Sequence, residues 1–152
     1  NETELGEASL ATPTASQKIR RARLLVVDDD ASLRAIARHW LGTGGFEVLE
    51  AEDGYSGLMI AASQKPDAVL LDVMMPGLNG YDVCAQIRAF PDGATIPIVM
   101  MTGLDDYASV ERAYDAGATD YSPKPVSWVL LQHRLRYLLR DRPLISATAG
   151  NS

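Results

Sequence analysis

Residues 24–30 read Leu24-Leu25-Val26-Val27-Asp28-Asp29-Asp30. An apolar run with no alternation meets three carboxylates at once. A short run of this kind, bounded by polar residues, fits a strand buried on both faces. The period then changes. Leu33, Ile36, Ala37, Trp40 and Leu41 fall at helical spacing over residues 32–41, and Gly42, Gly44 and Gly45 are expected to stop that helix.

Working outward, the strand–helix unit recurs. Residues 46–51 read as a strand and 54–64 as a helix ended by Pro66. Residues 68–71 form a strand closing on Asp72, and Met75-Pro76-Gly77-Leu78-Asn79-Gly80 is a loop by its Pro and Gly content. A helix over 81–89, a strand over 96–101 closing on Thr102, and a helix over 106–116 ended by Gly117 follow. A short strand over 119–122 and a helix over 127–140 complete five strands and five helices in strict alternation. Such alternation implies an α/β fold, a parallel sheet covered on both faces.

Composition fits one domain with loose ends. The chain has 152 residues, 14 Lys and Arg against 20 Asp and Glu, and a net charge of −6. A lone Cys84 excludes an internal disulfide framework and any multi-cysteine zinc site, and is read as a small buried residue. The acidic balance argues against direct nucleic-acid binding, which wants clustered Lys and Arg. Every apolar run is far shorter than the roughly 20 residues of a membrane span, so no membrane insertion is expected. Nothing marks export, so the cytoplasm is the expected location. The first residue is not Met, which suggests a fragment of a larger protein. Residues 1–22 are expected as a flexible tail, 23–142 as the domain, and 143–152 as a tail or the start of a linker. The basic run Lys18, Arg20, Arg21 and Arg23 is read as solvated.

In an open parallel sheet, ligands bind beyond the carboxyl ends of the strands. Asp28, Asp29 and Asp30 follow the first strand, Asp72 the third, Thr102 the fourth, and Lys124-Pro125 the fifth. Singly, each has a plain structural role: an Asp there is a common helix cap, and Asp30 is read as one. Jointly they converge carboxylates, a hydroxyl and an ammonium on one end of the sheet. Asp28, Asp29 and Asp72 repel when crowded, and a divalent cation relieves this. An all-oxygen donor set suits Mg²⁺. A carboxylate beside it can form an aspartyl-phosphate, with Lys124 and Thr102 neutralising the phosphoryl oxygens.

The segments LLVVDDD, PDAVLLDVMMPGLNG, IPIVMMTG and GATDYSPKP together resemble the receiver domain of bacterial two-component response regulators. The resemblance implies a flavodoxin-like doubly wound sheet with strand order 2-1-3-4-5. It implies that Asp72 takes a phosphoryl group from a sensor histidine kinase or phosphotransfer protein. Asp28, Asp29, Asp72 and the backbone carbonyl of Met74 would hold Mg²⁺. Lys124 would pair with the phosphoryl oxygens, and Thr102 and Tyr121 would act as the switch. The Lys124–Pro125 bond would be cis. The readout would be the face of the fourth helix, fifth strand and fifth helix, which also offers a homodimer contact.

The last helix carries an apolar stripe at Trp128, Leu131, Leu135 and Leu138, with Leu130, Tyr137 and Leu139 off it. The segment PVSWVLLQHRLRYLLR resembles receivers attached to cyclic-di-GMP synthesis or breakdown domains, which implies an attached effector. His39 and His133 lie far apart and are not read as ligands. Two other readings compete. A haloacid-dehalogenase-like phosphohydrolase would use Asp28 and Asp30 after the first strand, but leaves Asp72 without a role. A nucleotide-binding flavodoxin-like domain lacks a Gly-rich phosphate loop.

Overall fold

The computed structural model describes residues 17–103 and 106–147. Five strands form the central sheet: β1 Arg23–Val27, β2 Glu47–Ala51, β3 Ala68–Asp72, β4 Ile98–Thr102 and β5 Asp120–Pro123. Five helices alternate with them: α1 Ala31–Thr43, α2 Gly54–Gln64, α3 Gly80–Arg88, α4 Tyr107–Asp115 and α5 Trp128–Leu139. All neighbouring strands are parallel, in the order β2-β1-β3-β4-β5, which is the doubly wound 2-1-3-4-5 arrangement.

Successive strand side chains point to opposite faces, so an unbroken apolar strand feeds two cores. Leu25, Val27, Val69, Leu71, Ile98 and Met100 pack under α2, α3 and α4. Leu24, Val26, Ala68, Leu70, Val99 and Met101 pack under α1 and α5. Cys84 is fully buried on α3, in the first of these cores.

The caps are local. Asp30 accepts from the Ser32 and Leu33 N–H groups at the start of α1, at 2.9 and 3.3 Å. Asp53, Asn79 and Asp106 cap α2, α3 and α4 in the same way. Helix α1 runs through Gly42 to Thr43, two residues past the expected stop. A single glycine costs only about 1 kcal/mol in a helix, and the left-handed turn falls at Gly45, with φ +100°. Strand β4 begins at Ile98 rather than Ile96, because Pro97 has no N–H to join the ladder.

The structure departs from expectation at the two ends. Gln17–Ile19 pairs antiparallel with Ile145–Ala147, so the tails meet in a separate two-stranded sheet. The remaining tail stretches, 1–16 and 148–152, lie outside the described residues. Nor are the arginines of the basic run free in solvent. Arg20 makes two bonds to the Asp67 carboxylate at 2.6 and 2.9 Å. Arg21 donates to the carbonyls of Gly42, Gly45 and Phe46. Burial raises the Asp67 carboxyl, but the bonds from Arg20 and the Arg23 N–H outweigh it and hold the group below the usual range.

In α5 the buried face is Leu131, Leu135 and Leu139, while Trp128 and Leu138 are half-buried. The expected stripe is therefore rotated: Leu139 belongs to the core. Leu130 and Tyr137 face solvent.

Candidate functional site

The carboxyl ends of β1, β3, β4 and β5 bring four expected residues to one edge. Asp28 leaves β1 with its N–H bonded to the Ala51 carbonyl at 3.1 Å. It is fully buried, and Asp72 and Thr102, the last residues of β3 and β4, are 4% and 5% exposed. Lys124, just past β5, donates from Nζ to Asp28 Oδ2 at 3.0 Å and Asp72 Oδ1 at 3.1 Å. Its backbone N–H bonds the Thr102 carbonyl at 2.8 Å. The Lys124–Pro125 peptide is cis. Asp29 is exposed, and one carboxylate oxygen from each of Asp28, Asp29 and Asp72 lies within 4.8 Å of the others. Among the described residues, no other group of three or more His, Cys, Asp or Glu side chains comes together in this way.

Burial pushes the Asp72 carboxyl up to about 6, and the Asp28 charge adds to it; Lys124 and the Met74 N–H pull the other way. Burial alone would lower Lys124, but its bonds to Asp28 and Asp72 more than offset that, so it stays charged. With all three carboxylates ionised, one ammonium leaves the cluster with two uncompensated negative charges. Hard oxygen donors, open to solvent on the Asp29 side, fit a small divalent cation such as Mg²⁺.

Met74, two residues past Asp72, is 64% exposed, and its backbone N–H bonds the Asp72 carboxylate. Tyr121 is half-buried in β5 opposite Met100, packed against the α2–α4 core. A cavity of about 220 Å³ lies beside it, between β5 and α5. Gly80 is a residue that composition flagged only as part of a loop. A Cβ there would overlap the Asp72 carbonyl oxygen, and the Gly80 N–H bonds the Val73 carbonyl at 2.9 Å. Glycine lets α3 start directly against the end of β3.

The family model described as the response regulator receiver domain matches residues 24–136. The chain belongs to that family. The receiver is 46% identical over 118 residues to the response regulator MprA of Mycolicibacterium vanbaalenii, covering 78% of this chain and 50% of that protein. It is 43% identical over 136 residues to "Probable transcriptional regulator ycf27" of Cyanophora paradoxa, covering 88% of this chain and 56% of that protein. Among solved structures, the chemotaxis protein CheY4 of Vibrio cholerae superposes with a TM-score of 0.75 at 30% identity, over 78% of this chain and 99% of that one. The receiver spans about half the length of the curated relatives it matches.

Family and geometry both disfavour the phosphohydrolase alternative. Asp30 is occupied as the α1 cap, and its N–H bonds Asp28 Oδ1 at 2.9 Å. Asp72, which that reading leaves idle, is at the centre of the cluster. The receiver is a signalling module, and among its described residues no helix is long and apolar enough to cross a membrane.

Proposed function

We propose that this receiver accepts a phosphoryl group on Asp72 from a phosphohistidine of a sensor histidine kinase or phosphotransfer protein. The observation that carries the reading is the buried Asp72 carboxylate held by Lys124 beside Asp28 and Asp29. An Asp72 oxygen attacks phosphorus, the N–P bond breaks, and the histidine nitrogen leaves with the bonding pair. Asp28, Asp29, Asp72 and the Met74 carbonyl would hold Mg²⁺, which when bound would supply charge neutralisation on the transferred oxygens. Lys124 then exchanges its bond to Asp72 for one to the phosphoryl group. It is already within bonding distance of both carboxylates, so the exchange needs only a small movement. Asp28 keeps Lys124 charged and on station throughout.

The added charge draws the Thr102 hydroxyl, and Tyr121 follows into the space vacated, which changes the α4-β5-α5 face. That face carries exposed Leu130 and Tyr137 and the Arg134–Asp120 ion pair at 2.6 Å, features suited to contact with a second copy. The output is an effector, attached or separate, in the cytoplasm. The α5 sequence supports a cyclic-di-GMP enzyme; the name of the Cyanophora relative supports control of transcription.

Acetyl phosphate with Mg²⁺ is expected to label Asp72, and Asp72→Asn to abolish the label. Label that persists in Asp72→Asn and disappears in Asp28→Asn would overturn the assignment.

A further inference from the structure

Asp28 and Asp29 are useful as a pair only if the peptide joining them is held still. Both backbone polar groups of Asp28 are anchored. Its N–H bonds the Ala51 carbonyl of β2 at 3.1 Å. Its carbonyl, which belongs to the peptide leading into Asp29, accepts from Arg34 Nη1 at 2.7 Å. The same guanidinium donates from Nε to Glu50 Oε1 at 3.1 Å. The other Glu50 oxygen is held by Arg38, which also donates from Nη2 to the Val48 carbonyl at 3.1 Å. The Arg34 side chain is only 16% exposed. Its backbone N–H bonds the Asp30 carbonyl at 3.1 Å, so α1 begins on the far side of the same turn.

We infer that Arg34 is a positioning residue for the cation site, fixing the Asp28–Asp29 peptide so that both carboxylates converge on Asp72 before a cation arrives. A planar, multi-donor guanidinium can join a carboxylate on β2 to a carbonyl at the end of β1, whereas an ammonium offers one compact charge. The inference rests on the reading of Asp28, Asp29 and Asp72 as Mg²⁺ ligands, and it adds the group that orients two of them.

The sign of the effect separates positioning from plain electrostatics. As a nearby positive charge, Arg34 opposes a cation, so removing it would tighten Mg²⁺ binding. As a positioning group, its removal weakens binding. The experiment is calorimetric titration of the full chain with Mg²⁺, beside urea unfolding of each variant in chelator. Arg34→Met is expected to raise the Mg²⁺ Kd about tenfold, the lower end for loss of a group that orients metal ligands. Arg34→Lys keeps the charge but not the fork, and is expected to fall between. Unchanged or tighter Mg²⁺ binding in Arg34→Met, even with lower stability, would overturn the inference. If Arg34→Met does not fold, wild-type affinity in Arg34→Lys overturns it instead. A wild-type chain that takes up no Mg²⁺ would overturn the site reading and this inference together.

Discussion

Asp72→Asn is expected to make the cation-free receiver more stable at neutral pH. The folded state holds the Asp72 carboxyl at about 6 against an ordinary 3.8, chiefly through burial and then through the charge on Asp28. A carboxyl raised in the folded state binds its proton more tightly there than in the unfolded chain. Below about pH 3.8 both states are protonated and the group costs nothing. As pH rises toward 6 the unfolded chain releases its proton first, so folding stability falls. Above about 6 the loss is complete. Raising one carboxyl from 3.8 to about 6 corresponds to about 3 kcal/mol, an upper figure for the penalty. Asparagine carries no such charge, and its Oδ1 still accepts from Lys124. The variant should match wild type near pH 4 and exceed it by about 1–3 kcal/mol at pH 7. Urea unfolding of both proteins in chelator, followed by tryptophan fluorescence between pH 4 and 7.5, measures the difference directly. Subtracting variant from wild type removes carboxylates common to both, such as Asp67, which act in the opposite sense. Saturating Mg²⁺ should erase or invert the gap, because the cation stabilises only the wild-type cluster. A gap that is absent at pH 7, or constant with pH, would show that burial and the Asp28 charge do not strain Asp72.

Arg20→Ala removes a two-bond link to Asp67, which is 13% exposed, and should cost about 1.5–3 kcal/mol at pH 7 by urea unfolding. Because the Asp67 carboxyl is held low, that loss should fade as pH drops through and below the usual carboxylate range; a constant loss at pH 3 would count against the ion pair. Leu135→Ala empties a fully buried position between α5 and the sheet and should cost about 2–5 kcal/mol, read as a lowered Tm. Gly80→Ala sets a methyl against the Asp72 carbonyl and should cost about 1–3 kcal/mol while slowing labelling by acetyl phosphate; wild-type behaviour would mean that α3 shifts freely.

Much of the site was legible because it follows from topology. Once Leu24–Val27, Ala68–Leu71 and the β4 segment read as parallel strands, Asp28, Asp72 and Thr102 had to share one end of the sheet, and Lys124 with them. Asp30 was legible as a cap, since a cap depends only on the next three residues. The phase of α5 was not. Leu138 and Leu139 are adjacent at the edge of one helical face, and the docking of α5 on α1 chooses between them. That docking runs through Gln132 to the Trp40 carbonyl at 2.7 Å and Arg136 to the Gly44 carbonyl at 3.0 Å. The pairing of Gln17–Ile19 with Ile145–Ala147 was equally hidden: three-residue segments have no period of their own, and each is ordered by a partner at the other end of the chain.

Period and connection are local properties of a chain, so the sequence by itself determined the alternating fold, its two-sided core and the residues gathered at the strand ends. Only the tertiary structure decided how those residues engage. Lys124 bridges Asp28 and Asp72, Arg34 reaches from α1 to the Asp28 carbonyl and Glu50, and Arg20 closes on Asp67. All but the Arg34 bond to the Asp28 carbonyl, which spans six residues, join elements separated along the chain. Their existence depends on distances of a few ångströms that no local pattern encodes.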